Sequence, residues 1–138
     1  MKKFITLVLT VICAFAISTT ALASEPTHYE WHNVCNDTDG NIYAVDSFNT
    51  ETYFGSDNFS AWVSVTYANY YPSTNIKTTV AYYTFNPVQC VFSRGILRGY
   101  SEDGKFLRTI PYTNLSHISF EPGSPFYMIM TTAKSYLH

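Results

Sequence analysis

The chain has 138 residues, with 8 Lys and Arg against 10 Asp and Glu and a formal net charge of −2. Once Lys2 and Lys3 are assigned to an N-terminal leader, six basic residues face ten acidic ones, a formal net charge of −4. That balance argues against nucleic acid or an anionic membrane as partner, and the length suits one domain able to bury about two-thirds of its unfolded surface.

The leader is residues 1–23. Lys2 and Lys3 give a positive start, Phe4 to Ile17 is an apolar run, and Ala21-Leu22-Ala23 forms an A-x-A cleavage signal. This is the pattern of a bacterial secretory signal peptide, and the run is too short for a spanning helix. Cys13 stands inside the apolar run, with Ile12 before it and Ala14-Phe15-Ala16 after it, so it lacks the setting of a lipidation site. The expected mature protein is a single domain over residues 24–138, secreted, periplasmic or in the cell envelope, with no membrane insertion after the leader is removed.

From residue 27 onward Tyr, Phe, Thr and Val are dense and Gly, Asn, Asp and Pro punctuate them, which is strand-and-turn composition. Strands are expected at about Tyr29 to Val34, Asn41 to Phe48, Ser60 to Asn69, Ile76 to Asn86, Val91 to Ser101 and Lys105 to Tyr112. The turn signals are "NDTDGN" (Asn36 to Asn41), where Gly40 is free to take positive φ, and "SEDGK" (Ser101 to Lys105), where Asp103-Gly104 favours a hairpin. In the last segment, Ser124 is a natural N-cap and Pro125 suits the first helical position. Phe126, Ile129, Met130, Ala133 and Leu137 then share one helical stripe. The expected fold is α+β: an antiparallel sheet of about six strands in meander order, with a C-terminal helix packed on one face.

The stretch from Thr27 to Asn41 concentrates His28, His32, Cys35, Asp37 and Asp39. On a strand, His28, Glu30 and His32 share one face and Trp31 takes the core face. Two imidazoles and a carboxylate are zinc-ligand types, but no motif completes a site. "DTDGN" resembles part of a calcium loop, yet the downstream bidentate Glu is missing and turn chemistry explains the same residues. Cys35 and Cys90 remain after processing. In an oxidising compartment such a pair in a small domain is expected to bridge, for about 4 kcal/mol at best; the alternative is a free thiol nucleophile with His28 or His32 as base. No nucleophile elbow, phosphate loop or dinucleotide fingerprint is present, so neither enzyme activity nor a metal or other cofactor is expected.

The chain carries 12 Tyr and 10 Phe, an unusual aromatic load, all but two of them after the leader. Neighbours on a strand point to opposite faces, so Tyr82-Tyr83 must send one ring each way, and Tyr70-Tyr71 can do the same. Exposed tyrosines are frequent in protein-binding surfaces. Tyr70, Tyr71, Tyr82 and Phe54 are the binding residues expected on that ground.

In order along the chain stand Trp31, "IYAVDSFNT" (Ile42 to Thr50), "SAWVSVTY" (Ser60 to Tyr67) and Cys90 before an Arg-rich strand. "GYSEDGKFLRTI" (Gly99 to Ile110) and "SFEPGSPFYMIMTTAK" (Ser119 to Lys134) follow. This succession resembles the surface-adhesin protein E family of bacterial envelope proteins, from about Trp31 to Lys134. The resemblance implies a non-enzymatic binding module whose best-described relative is a lipid-anchored adhesin for host matrix and serum proteins. Its C-terminal cysteine has no counterpart in "AKSYLH", which leaves Cys35 as the one partner for Cys90. The expected partner is an extracellular protein. The alternative is an envelope assembly protein that forms a homodimer through its sheet, and a His-based metal or hydrolytic site at His28 and His32 is a third reading.

Overall fold

A computed structural model of the protein describes residues 25–53 and 55–137. The expected leader with Cys13, and the expected binding residue Phe54, lie outside the described residues. Nine strands form one antiparallel sheet: β1 (Trp31–Asn36), β2 (Ile42–Asp46), β3 (Glu51–Thr52), β4 (Phe59–Thr66), β5 (Thr78–Asn86), β6 (Val91–Arg94), β7 (Leu97–Tyr100), β8 (Phe106–Ile110) and β9 (Leu115–Ser119). A C-terminal helix, α1 (Pro125–Ser135), follows. The fold is the expected α+β antiparallel sheet with a C-terminal helix, with more strands than expected: one expected strand is split into β6 and β7, and β3 and β9 form where none was expected, β9 returning to pair with β6.

The main path through the sheet is β1-β2-β4-β5-β6-β9. β2 and β3 pair with the two ends of β4, as β6 and β7 do with the two ends of β5. The single strand expected over Val91 to Ser101 is therefore two, broken at Gly95-Ile96, although Gly95 N–H still donates to Tyr82 O at 2.8 Å. β8 then pairs with β7, and β9 with β6. β9 carried no alternation signal; His117 within it has φ 50°, a left-handed position that disturbs the pleat. Both expected turns form. Gly40 and Gly104 take φ of 85° and 84°, and Ser101 N–H donates to Lys105 O at 2.8 Å to close the β7–β8 hairpin.

Register assigns the two faces. On one, Phe59, Ala61 and Val63 of β4 stand opposite Phe85, Tyr83 and Ala81 of β5. All six are buried, with Phe92, Ile129, Met130 and Ala133. α1 seals this face through the stripe legible in the sequence. Ser124 Oγ accepts from Tyr127 N–H, and Pro125 occupies the first turn, where its missing N–H costs nothing. Phe126 stacks on Phe92 with ring centres 4.6 Å apart. One glycine is dictated by close approach: a Cβ on Gly99 would lie 2.5 Å from Cδ1 of the buried Ile76.

The expected Cys35–Cys90 bridge does not form; both cysteines are free. Cys35 lies on β1, at the sheet edge, and Cys90 in the β5–β6 turn, with β2 and β4 between their strands. Cys35 Sγ faces Pro125 O at 4.0 Å and Cys90 Sγ faces Pro87 O at 3.6 Å, so neither thiol is directed to the other. Among the described residues no helix is long and apolar enough to cross a membrane.

Candidate functional site: the uncovered sheet face

The face opposite α1 is built from the alternate residues of the same strands. Trp62 stands opposite Tyr82, and Ser60 opposite Thr84. Ser60 and Ser64, with small side chains, flank Trp62 on the same face of β4. Trp62 is nearly buried, with Tyr82 5.3 Å from its ring centre and the Arg98 guanidinium 5.0 Å over it. This is a cation–π stack in a partly desolvated setting.

Beside it runs a cleft of about 510 Å³. Tyr53, Trp62 and Tyr82 give it aromatic walls, Ile96 an apolar lip, and Thr84 and Arg98 polar groups. The break between β6 and β7 forms its edge, since Gly95 and Ile96 leave the strand there. Tyr53 is 43% exposed and Ile96 36%, so both rim groups meet solvent.

A hydroxyl cluster closes one end. Tyr82 Oη donates to Ser60 Oγ. Burial acts to raise the Tyr53 phenol, but the hydroxyls of Tyr82, Thr84 and Ser60 gathered around it hold it below its ordinary value. Burial pushes the Tyr82 phenol up to about 12, with the Ser60 bond pulling the other way and Tyr53 adding to the rise. The cluster is a set of preoriented donors and acceptors behind an aromatic wall, a combination able to hold a polar ligand.

The segment Glu25–Glu30 lies along the other side of this face. Tyr29 stacks on Trp31 at 4.8 Å and meets Trp62 edge-on at 5.9 Å. Glu25 Oε2 lies 3.8 Å from Arg98 Nε, and Glu25 Oε1 accepts from Tyr100 Oη. Burial, then the neighbouring Glu25 carboxylate, pushes the Tyr29 phenol upward. The base of the segment is tied down by the fully buried Asp46, whose Oδ1 accepts from Glu30 N–H at 2.7 Å.

Of the residues expected from sequence, Tyr82 is in the cleft. As expected, Tyr83 points the other way, under α1. Tyr70 and Tyr71 are elsewhere, in the β4–β5 loop beside a depression that shares no lining residue with the cleft. Tyr70 is 46% exposed, donates to Glu102 Oε2 at 3.3 Å and sits under Lys77 Nζ. Tyr71 packs against the core. Trp31 does not face the core: it is on the uncovered face, 37% exposed. The sequence pointed to neither Tyr53 nor Arg98. Arg98 was legible only as the outward-facing residue opposite Val80 once the register is known.

The histidines do not converge as ligands. His28 lies 3.7 Å from Glu30 and edge-on to Phe48, whereas His32 faces Ser47 Oγ at 3.0 Å and Tyr136 at 5.2 Å. Among the described residues no three His, Cys, Asp or Glu side chains gather to hold a metal. The Ser47–His32 pair has the composition of a nucleophile and base. Glu30, however, contacts Ser47 Oγ rather than the imidazole, and Ser47 N–H is committed to Glu30 O. The carboxylate therefore does not orient the base, and that amide is not free to stabilise an oxyanion. In the "DTDGN" turn, Asp37 accepts from Asp39 N–H, Asn41 N–H, Asn41 Nδ2 and Tyr43 Oη, which commits both carboxylate oxygens to the turn itself.

No family model, curated protein or solved structure matches the chain significantly.

Proposed function

We propose that the protein is a secreted or envelope binding module that holds an extracellular protein ligand on the sheet face opposite α1. The observation that carries this reading is the cleft itself. Its rings are held from behind by a hydroxyl cluster, Arg98 is stacked on Trp62, and apolar rim groups stay exposed. Interface hot spots concentrate Trp, Tyr and Arg in such partly desolvated pockets. The motif resemblance to surface-adhesin protein E supports the same class of role and suggests matrix or serum proteins as ligands.

The test is binding of the mature protein to immobilised, purified extracellular-matrix proteins, with two variants alongside. Ile96→Glu places a charge on the cleft lip, and Tyr70→Ala alters the separate loop. Binding that Ile96→Glu weakens at least about tenfold, a typical hot-spot effect, while Tyr70→Ala leaves it unchanged, supports the reading. Equal effects, or loss only with Tyr70→Ala, refute it.

A second reading rests on the opposite edge of the sheet. Phe106 of β8 and Ile118 of β9 are 49% and 36% exposed on the outermost strands, and Tyr112 between them is 96% exposed. An unprotected edge with such side chains can pair with a second copy. A concentration-dependent dimer broken by Ile118→Lys would favour envelope assembly over ligand capture.

A further inference from the structure

We propose that Arg98, Tyr100 and Trp62 form a carboxylate-and-ring clamp for an extended acidic peptide segment of a partner protein, and that residues Glu25–Tyr29 are its resident occupant. This deepens the cleft reading and rests on it for where the rest of the partner runs.

The resident segment shows what the clamp accepts. One carboxylate is shared between a guanidinium and a phenol: Glu25 Oε2 lies 3.8 Å from Arg98 Nε, and Tyr100 Oη donates to Glu25 Oε1. Four residues further on, the Tyr29 ring meets the edge of Trp62 and stacks on Trp31. Arg98 is itself fixed over Trp62, so its planar donors are oriented before a carboxylate arrives. The Arg98 side chain is only 22% exposed, which strengthens its attraction for an anion relative to a fully solvated arginine.

The hold on the resident segment is partial. Glu25 is 38% exposed, and Thr27 and His28 between the two contacts are solvent-facing. Trp62 and Arg98 line both the clamp and the cleft, so a segment that displaces Glu25 and Tyr29 continues directly along the cleft wall toward Ile96. Charge complementarity sets the partner's chemistry: a carboxylate, with an aromatic residue about four positions away, in an extended chain.

The experiment uses the mature chain carrying Glu25→Gln and Tyr29→Ala, which releases both contacts, and Glu25→Gln alone as a milder variant that keeps the Tyr29 packing. The probe is a synthetic, end-blocked peptide of residues 24–30, with a second peptide carrying Gln in place of Glu25 only. Both tryptophans of the chain stand on this face, so their fluorescence reports occupancy. The expected result is saturable binding to the released variants, weaker binding to the unmodified chain, and about tenfold weaker binding of the Gln peptide, the size of one charge-assisted hydrogen bond. Adding Arg98→Gln to the released variant should shrink the difference between the two peptides, leaving only what the Tyr100 hydroxyl contributes. Equal affinity for both peptides, no binding to either released variant, or indifference to Arg98→Gln overturns the clamp. So does a released variant that ignores the peptide but dimerises, which would give the site to a second copy. Clamp-dependent peptide binding accompanied by matrix binding that ignores Ile96→Glu would uphold the clamp and refute the cleft reading.

Discussion

Asp46 carries its hydrogen bonds on a fully buried carboxylate, and replacing it by Asn tests whether that load is structural. The carboxylate is fully buried and accepts four hydrogen bonds. Oδ1 takes Glu30 N–H at 2.7 Å and Phe48 N–H at 3.2 Å; Oδ2 takes Asn49 N–H at 3.0 Å and Asn49 Nδ2 at 2.5 Å. Asn is nearly isosteric, but its amide nitrogen cannot accept. One pair of donors is left facing an NH₂ group, and the other pair loses its ionic partner. Bonds to charged groups are worth about 1.5–3 kcal/mol each and do not add fully, so Asp46→Asn should cost about 3 kcal/mol. For a domain of this size that corresponds to a melting temperature lower by roughly 10–15 °C. Because Glu30 N–H is among the orphaned donors, the base of the Glu25–Glu30 segment should loosen too, and Trp fluorescence should change before global unfolding. The assay is thermal and urea unfolding followed by circular dichroism and fluorescence. A variant that melts within about 2 °C of the parent would refute the account of Asp46 as the anchor of this face.

Three further outcomes follow from particular residues. At Asp37, desolvation opposes ionisation, but hydrogen bonds from Asn41, Tyr43 and Asp39 together outweigh it and hold the carboxyl below its ordinary value. The stabilisation is complete above the unfolded pKa, near ~3.9, and is lost as pH falls through the lower folded value. Asp37→Asn should therefore flatten the acid limb of stability against pH, and an unchanged limb contradicts the assignment. Gly99→Ala brings a Cβ within 2.5 Å of Ile76 Cδ1, so overpacking should cost about 1–3 kcal/mol in urea unfolding; a neutral result would show that Ile76 can turn aside. Cys35 and Cys90 should both react with an alkylating reagent in denaturant without reductant, adding two labels by intact mass. Protection of both until reduction would show a bridge that this sheet does not contain.

The turns and the helix were legible because their chemistry is local. Asp103-Gly104 and Gly40 specify backbone that few residues adopt, and Ser124-Pro125 specifies a helix start whatever lies around it. The two-faced character of Tyr82-Tyr83 was legible for the same reason, since it follows from strand geometry alone. The breaks in the sheet were not. Val91 to Ser101 reads as one strand because Gly95 is a weak signal beside its β-prone neighbours, and the interruption arises from how β5 shares its length between β6 and β7. Trp31 was misplaced because alternation from the sequence assigns two sets of residues but not which set faces the helix. A bulge between Asn33 and Cys35 shifts the count further. The cysteine pair illustrates the same limit. Composition and compartment favour a bridge, while strand order keeps the two thiols apart. Arg98 and Tyr53 escaped notice because neither belongs to a motif; only cross-strand register sets one over Trp62, and only folding of the β2–β4 connection sets the other beside Tyr82.

The most direct measurement is hydroxyl-radical footprinting of the mature protein, free and bound to a matrix protein that it captures. The account predicts protection of Tyr53, Tyr82 and Ile96, with Tyr70 and Phe106 as reactive as in the free protein. Protection centred on Tyr70 or on the outer strands, with the cleft residues unchanged, would contradict the assignment of the uncovered face as the binding face.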